Sequence, residues 1–442
     1  MLRRVNASFD AAGAVVPAGK AAYPAPFASV LEFNAPVHGT WNIVHTGMLV
    51  PQARQIYVCA ANCMRGVTLT AAEMNELERF SFVILKEEDL LEGTVEEVTI
   101  EGVTDVLNKL PQKPPAVLLF TVCVHHFLGC DYDHIYRTLE ERFPEVDFCR
   151  CYMDPIMQKG GLTPDQKLRR SLYELLRPLP PKQGVVSLLG SDFSTDSSGD
   201  LAACLAQNGY ELRQLPDCGT YGAFLEMAEA ELFVCVYPPG FWGAGIAAKR
   251  LNRPLLYLPQ CFSFSEIDAN LSALGQALNL PPFDVHAARE RAEAALTRTR
   301  SVVGETPIAV DATVHPRPLG LTRLLLEQGF RVDTVYLDAV SAEEERDFRW
   351  LQKNAPELLL KATIRPEARV LPRGRQEKVL AIGQKAAWFE QTPHFVNLVQ
   401  GAGLWGYDGI CRLCALMEEA FLEEKDTEDL VPRKGWGCES CV

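Results

Sequence analysis

Cys59 and Cys63 lie four residues apart in the stretch VCAANCMRG, in a chain with 14 cysteines. Thiolates ligate soft metals and iron–sulfur clusters when several of them converge on one point. If PQARQIYVCAANCMRGV is helical, this spacing puts both thiols on one face, roughly 5–6 Å apart at Cβ. Cys123 follows the apolar run AVLLFTV and opens the loop CVHHFLGCD, which also carries Cys130. That position is a strand end, where parallel α/β sheets receive their ligands. Cys235 follows AELFV shortly before YPPGFWGAG, a turn that frees the next helix N-terminus to face a ligand.

Other polar residues fall at the same kind of place. His125 and His126 follow Cys123 and titrate near neutral pH, so they are candidates for proton relay, with hydrogen bonding to the backbone as the alternative. Arg317, in VHPRPLG, either aims a guanidinium into a central cavity to hold an anion or forms a structural salt bridge. Cys204 and Cys261 read as small buried apolar residues, and Cys411 and Cys414 as core positions on one helix face. Cys149 and Cys151 lie on one strand, with one expected inward and the other outward. Cys438 and Cys441 make only half of a zinc site, and a tail without a ligand role is the expectation there.

Composition sets the compartment. The chain of 442 residues is 48% hydrophobic and 23% charged, the balance of a globular protein with two or three domains. Its first residues hold two arginines and Ala-rich pieces broken by Pro and Gly, a poor secretory signal, and no run reaches the ~18 apolar residues of a membrane helix. A cytoplasmic location follows, where thiols stay reduced and so many cysteines point to metal or redox chemistry. A net charge of -14 argues against nucleic acid as a partner. It suits a basic protein surface or plain solubility.

Elements that would position these residues alternate strand and helix from about residue 80. The Pro-rich stretch RPLPPKQG and the charged helix AARERAEAALTRTRS divide three such blocks. The expected architecture is α/β, with three Rossmann-like doubly wound domains of mostly parallel sheets around a central cavity. Residues 1–180 carry Cys59, Cys63, Cys123 and Cys130, 184–302 carry Cys235 at a strand end, and 303–442 hold a third domain, a C-terminal helix and the CxxC tail.

Four segments together resemble the component 1 family of nitrogenase-like oxidoreductases, which includes the nitrogenase molybdenum-iron protein subunits and the dark-operative protochlorophyllide reductase. VCAANCMRG falls at the family's HGPxGC-like turn, with Cys63 in the cysteine position. AVLLFTVCVHHFLGCDYDHI has the family's strand, its cluster cysteine as Cys123, and Cys130 and Asp131 in place of an acidic pair. AELFVCVYPPGFWGAGIAAKRLNRPLLYLP resembles the segment around the cofactor-ligating cysteine of the nitrogenase α subunit, here Cys235. GLWGYDGICRLCALMEEAF resembles the GYDG segment and terminal helix.

The resemblance implies an iron–sulfur cluster, [4Fe–4S] or a larger P-cluster-like centre, held by Cys59, Cys63 and Cys123 with Cys130 in reserve. The family's upstream cluster cysteine has no counterpart before Cys59; His38 and His45 occupy that region, with His45 as a substitute ligand the costlier reading. The histidine that holds molybdenum in the α subunit falls here at Val399 or Gln400, and His394 is offset. An iron–molybdenum cofactor is therefore not expected, and Cys235 faces either a different metallocluster or an organic substrate. No GxxxxGK[ST] loop is present, so ATP binding would lie with a partner.

The implied function is the substrate-reducing component of a nitrogenase-like ATP-dependent reductase. It would pair with itself or a homologous second subunit, take electrons from a separate ATP-hydrolysing iron–sulfur protein, and reduce a small molecule. Two alternatives stand beside it: a non-catalytic scaffold for metallocofactor assembly, and a cluster-free relative whose cysteines are packing residues.

Overall fold

The computed structural model describes residues 11–29, 41–154 and 161–426. Strands β1 (Val15–Pro17), β2 (Arg54–Cys59), β3 (Phe80–Ile84), β4 (Ala116–Val122), β5 (Asp147–Met153), β6 (Lys182–Leu189) and β7 (Glu211–Gln214) come first. β8 (Ala230–Cys235), β9 (Leu255–Tyr257), β10 (Ile308–Asp311), β11 (Val332–Tyr336), β12 (Leu359–Lys361), β13 (Leu380–Ile382) and β14 (Phe395–Val396) follow. They form three sheets, ordered β3-β2-β4-β5, β7-β6-β8-β9 and β1-β12-β11-β10-β13-β14. Every pairing is parallel except that of β1 with β12, so the chain has the expected α/β class.

The described residues fall into two compact units. One holds 41–154, 161–194 and 209–257, with the two four-stranded sheets; the other holds 11–29, 195–208 and 258–426, with the six-stranded sheet. No helix among the described residues is long and apolar enough to cross a membrane.

Sheet β3-β2-β4-β5 carries most of the predicted ligands, and its sequence explains its position. All seven residues of β4, AVLLFTV, are buried, as required of a central parallel strand covered on both faces. Alternation sends Tyr57, Cys59 and Phe120 to one apolar cluster and Ile56, Val58, Val117 and Leu119 to another. Tyr57 stacks on Phe120 with ring centroids 4.3 Å apart, a contact worth about 0.5–1.5 kcal/mol beyond its buried area.

Cys149 and Cys151 correct the expectation of one inward and one outward thiol. Residues i and i+2 of a strand share a face. Both side chains are buried in the same cluster as Tyr57, with their sulfurs 3.6 Å apart.

The helix Pro164–Glu174 begins on Thr163, which exchanges hydrogen bonds with Gln166 as a capping box, and Pro164 supplies the fixed φ of the first turn. This helix places Asp165 and Arg169 in the core. At the other end of the sequence β1 pairs antiparallel with β12, Val15 opposite Lys361.

Candidate metal centre

The stretch around Cys59 and Cys63 is a strand, a turn and a helix, which overturns the single-helix placement. Ile56, Tyr57 and Val58 suit a covered strand, and β2 is paired on both sides, with β3 and β4. Cys59 ends β2, and Cys63 is the N-cap of the helix Met64–Glu73, its N–H donating to the Ala60 carbonyl at 2.9 Å. Cys59 is buried and Cys63 is exposed.

Cys123 joins them from the neighbouring strand. β2 and β4 run in register through Tyr57 and Phe120, which sets the end of β4 beside the end of β2. Cys123 is half-buried and opens the short helix Cys123–Phe127. Burial pushes the Cys59 thiol up to about 12, with Cys63 adding to the shift. The Cys123 thiol is raised by burial, then by the Asp154 carboxylate, then by Cys63. Cys63 thus acts electrostatically on both other thiols.

Cys130 stands apart from this group. Its thiol is raised by burial and then by Glu96, and Glu96 accepts the N–H of Asp131 at 2.8 Å. Among the described residues no three His, Cys, Asp or Glu side chains are placed to hold a single metal ion.

His125 is fully buried. Its Nδ1 accepts the Val122 N–H at 3.3 Å, and its Nε2 lies 3.1 Å from the Thr99 hydroxyl, which itself donates to the Val95 carbonyl. That pattern assigns the ring proton to Nε2. Burial lowers the imidazole to about 4, so near neutral pH it is an uncharged tether between the end of β4 and the helix Val95–Lys109. His126 is exposed beside exposed Phe127 and Leu128.

Cys235 ends β8 and is fully buried, its thiol donating to the Tyr237 carbonyl at 3.4 Å. A Cβ on Gly190 would stand 2.9 Å from that sulfur, and a Cβ on Gly240 would overlap the backbone of Gly190. Two glycines therefore let the ends of β6 and β8 close around the thiol. Gly190 also has φ +93°, which favours glycine.

Sequence reasoning missed the residue behind this closure. Arg169 has no exposed surface, reaches the Gly190 carbonyl at 2.9 Å, and pairs with Asp165 at 3.1 Å and Asp192 at 2.6 Å. Its guanidinium also lies 5.3 Å from the Tyr237 ring centroid. The i, i+4 spacing of Asp165 and Arg169 was the available signal.

Arg317 adopts its salt-bridge alternative. Its guanidinium meets Glu266 at 2.7 Å and Asp347 at 3.5 Å, and it is nearly buried. Cys261 and Cys414 are buried, Cys204 and Cys411 half-buried. His38, Cys438 and Cys441 lie outside the described residues.

The fold has close counterparts among solved structures. The structure titled "Nitrogenase Cp1 at pH 6.5" superposes with a TM-score of 0.67 at 12% identity, covering 89% of this chain and 94% of that one. "Nitrogenase Cp1 at pH 5" gives 0.58 at 12% identity, with 92% and 94% covered. These likenesses define a nitrogenase component 1 fold. Residues 56–420 match the model of the Nitrogenase component 1 type Oxidoreductase family, and the chain belongs to that family. No curated protein matches the chain.

Proposed function

We propose that this chain is the cluster-bearing, electron-accepting component of a nitrogenase-like reductase, with Cys59, Cys63 and Cys123 as iron–sulfur ligands. The observation that supports the reading is that Cys59 and Cys123 fall at the carboxyl ends of neighbouring strands, with Cys63 in the turn after Cys59 and acting electrostatically on both others. Their donor chemistry fits an iron–sulfur cluster, which spreads its ligands wider than a single ion does. When bound, such a cluster supplies one-electron transfer. The chain's own residues supply the rest. Cys63 offers an open thiol, Cys59 a buried one, and neutral His125 fixes the backbone just ahead of Cys123.

Family membership supports a separate ATP-hydrolysing iron–sulfur reductase as the electron donor, and assembly with a homologous subunit or a second copy. Cys235, enclosed at the end of β8, takes no part in the proposed cluster. The test is iron and acid-labile sulfide on anaerobically purified or reconstituted protein, with electron paramagnetic resonance before and after dithionite. Matching iron and sulfide, a reducible signal and its loss in Cys63→Ala are expected. Folded protein that takes up no cluster would defeat the reading.

A further inference from the structure

Gln260 is 1% exposed, and neither end of its side-chain amide has a hydrogen-bond partner among the described residues. A buried amide without partners is costly, so it marks a position where a partner belongs. His315, also buried, stands beside it. A Cβ on Gly401 would lie 2.7 Å from Gln260 Oε1 and 3.0 Å from His315 Cδ2, so the amide and the imidazole face one glycine. His315 Nδ1 accepts the Arg317 N–H at 2.9 Å, which leaves the ring proton on Nε2, the atom next to Cδ2. Burial and then Arg317 lower the imidazole to about 3, so the ring is uncharged near neutral pH. The Phe262 ring packs against it at a steep angle, with centroids 4.6 Å apart. Arg317 itself is committed to Glu266 and Asp347, so Gln260 and His315 make an uncharged floor with N–H donors beside one carbonyl acceptor.

A left-handed turn covers this floor. Gln400, Gly401, Ala402 and Gly403 have φ of +52°, +78°, +37° and +74°, a backbone unfavourable for Gln400 and Ala402. The turn is anchored at both ends, the Gln400 N–H on the Thr313 carbonyl at 2.8 Å and the Trp405 indole on the Leu258 carbonyl at 3.0 Å. Closed, it holds two strained residues over an unpaired amide, and opening relieves both.

We propose that Gln260 and His315 bind an uncharged lactam or carboxamide group, with residues 400–403 as the lid over that site. The Gln260 amide presents its C=O and an N–H on one edge, which matches the N–H and C=O of a lactam in two parallel hydrogen bonds, and His315 Nε2–H donates to the same ligand carbonyl. A carboxylate fits poorly, because Gln260 Oε1 would face an anion with no cation on the floor to offset it. This goes beyond the cluster reading and is tested on metal-free protein, so either can fail without the other.

The probe is 2-pyrrolidone, with cyclopentanone as the same ring lacking the N–H. Saturation-transfer NMR reads binding, and hydrogen–deuterium exchange reads residues 398–405, in wild type and Gln260→Met. Wild type is expected to bind the lactam at least about tenfold more tightly than the ketone, because the ketone leaves Gln260 Oε1 unpaired. Saturating lactam is expected to slow exchange in residues 398–405. Gln260→Met is expected to lose the preference while its melting temperature holds or rises, because a buried unpaired amide is replaced by an apolar chain of similar length. No binding, or equal binding of the two rings to wild type, overturns the proposal without any variant. A preference that survives in folded Gln260→Met overturns it as well, and exchange at 398–405 as slow as in β10 without ligand overturns the lid.

Discussion

Asp200 accepts the backbone N–H groups of Tyr407 and Asp408, although more than two hundred residues separate them. Asp200 opens the helix Asp200–Gln207, and its carboxylate caps the first turn of the helix Gly406–Leu422. Gly406, at φ +69°, stands so close to that carboxylate that a Cβ would overlap it. The GYDG segment thus has a mechanical role here: glycine gives the space, and the next two residues give the N–H groups.

Gly406→Ala is accordingly expected to destabilise the unit that holds both helices. Left-handed backbone alone costs an alanine about 1–2 kcal/mol, and the overlap adds to it. Urea unfolding measures the loss, and a variant within about 0.5 kcal/mol of wild type would contradict the capping geometry.

The same contact makes stability depend on pH. Burial raises the Asp200 carboxyl to about 6, with neighbouring Asp408 adding to the shift against the two N–H bonds that lower it. Between its ordinary range and about 6 the folded chain holds a proton that the unfolded chain has released. This group therefore adds stability as pH falls through 6, by up to about 1.4 kcal/mol per pH unit, and penalises folding above that. The difference between wild type and Asp200→Asn in unfolding midpoints from pH 7.5 to 5 should narrow or reverse along that slope. A difference independent of pH would refute the assignment.

Arg169→Met leaves buried Asp165 and largely covered Asp192 without their guanidinium. Breaking a buried ion pair from one side costs about 3–5 kcal/mol. Calorimetry or urea unfolding should register a loss of that size. Arg317→Met, which strips half-exposed Glu266 of its partner but leaves Asp347 paired with Arg323 at 3.2 Å, should cost less.

Thiol accessibility supplies a test that needs no metal. Cys63 is exposed, whereas Cys59, Cys149, Cys151 and Cys235 are buried. Brief treatment of native, metal-free protein with N-ethylmaleimide, read by peptide mass spectrometry, should label Cys63 first among the described cysteines. Early labelling of Cys59 would place β2 differently.

Much of this was legible in the sequence because local pattern dictates it. AVLLFTV could only be a covered strand, and Cys123 at its end follows from that alone. β2 was harder: RQIYVC has strand residues, but the cysteine spacing invited a helix, and pairing on both sides decided the matter. Asp200 acts through partners distant in sequence that no local pattern announces, and the i, i+4 spacing of Asp165 and Arg169 says nothing of Asp192 or Gly190.

β1 has a further consequence for how the protein is made. Val15 and its neighbours leave the ribosome long before their antiparallel partners on β12, which lie near residue 360. At ordinary synthesis rates the wait is on the order of tens of seconds. Throughout that interval the first strand lacks its partner, so the six-stranded sheet cannot close before β12 has emerged. A chaperone acting on nascent chains would have its longest opportunity at this amino-terminal segment.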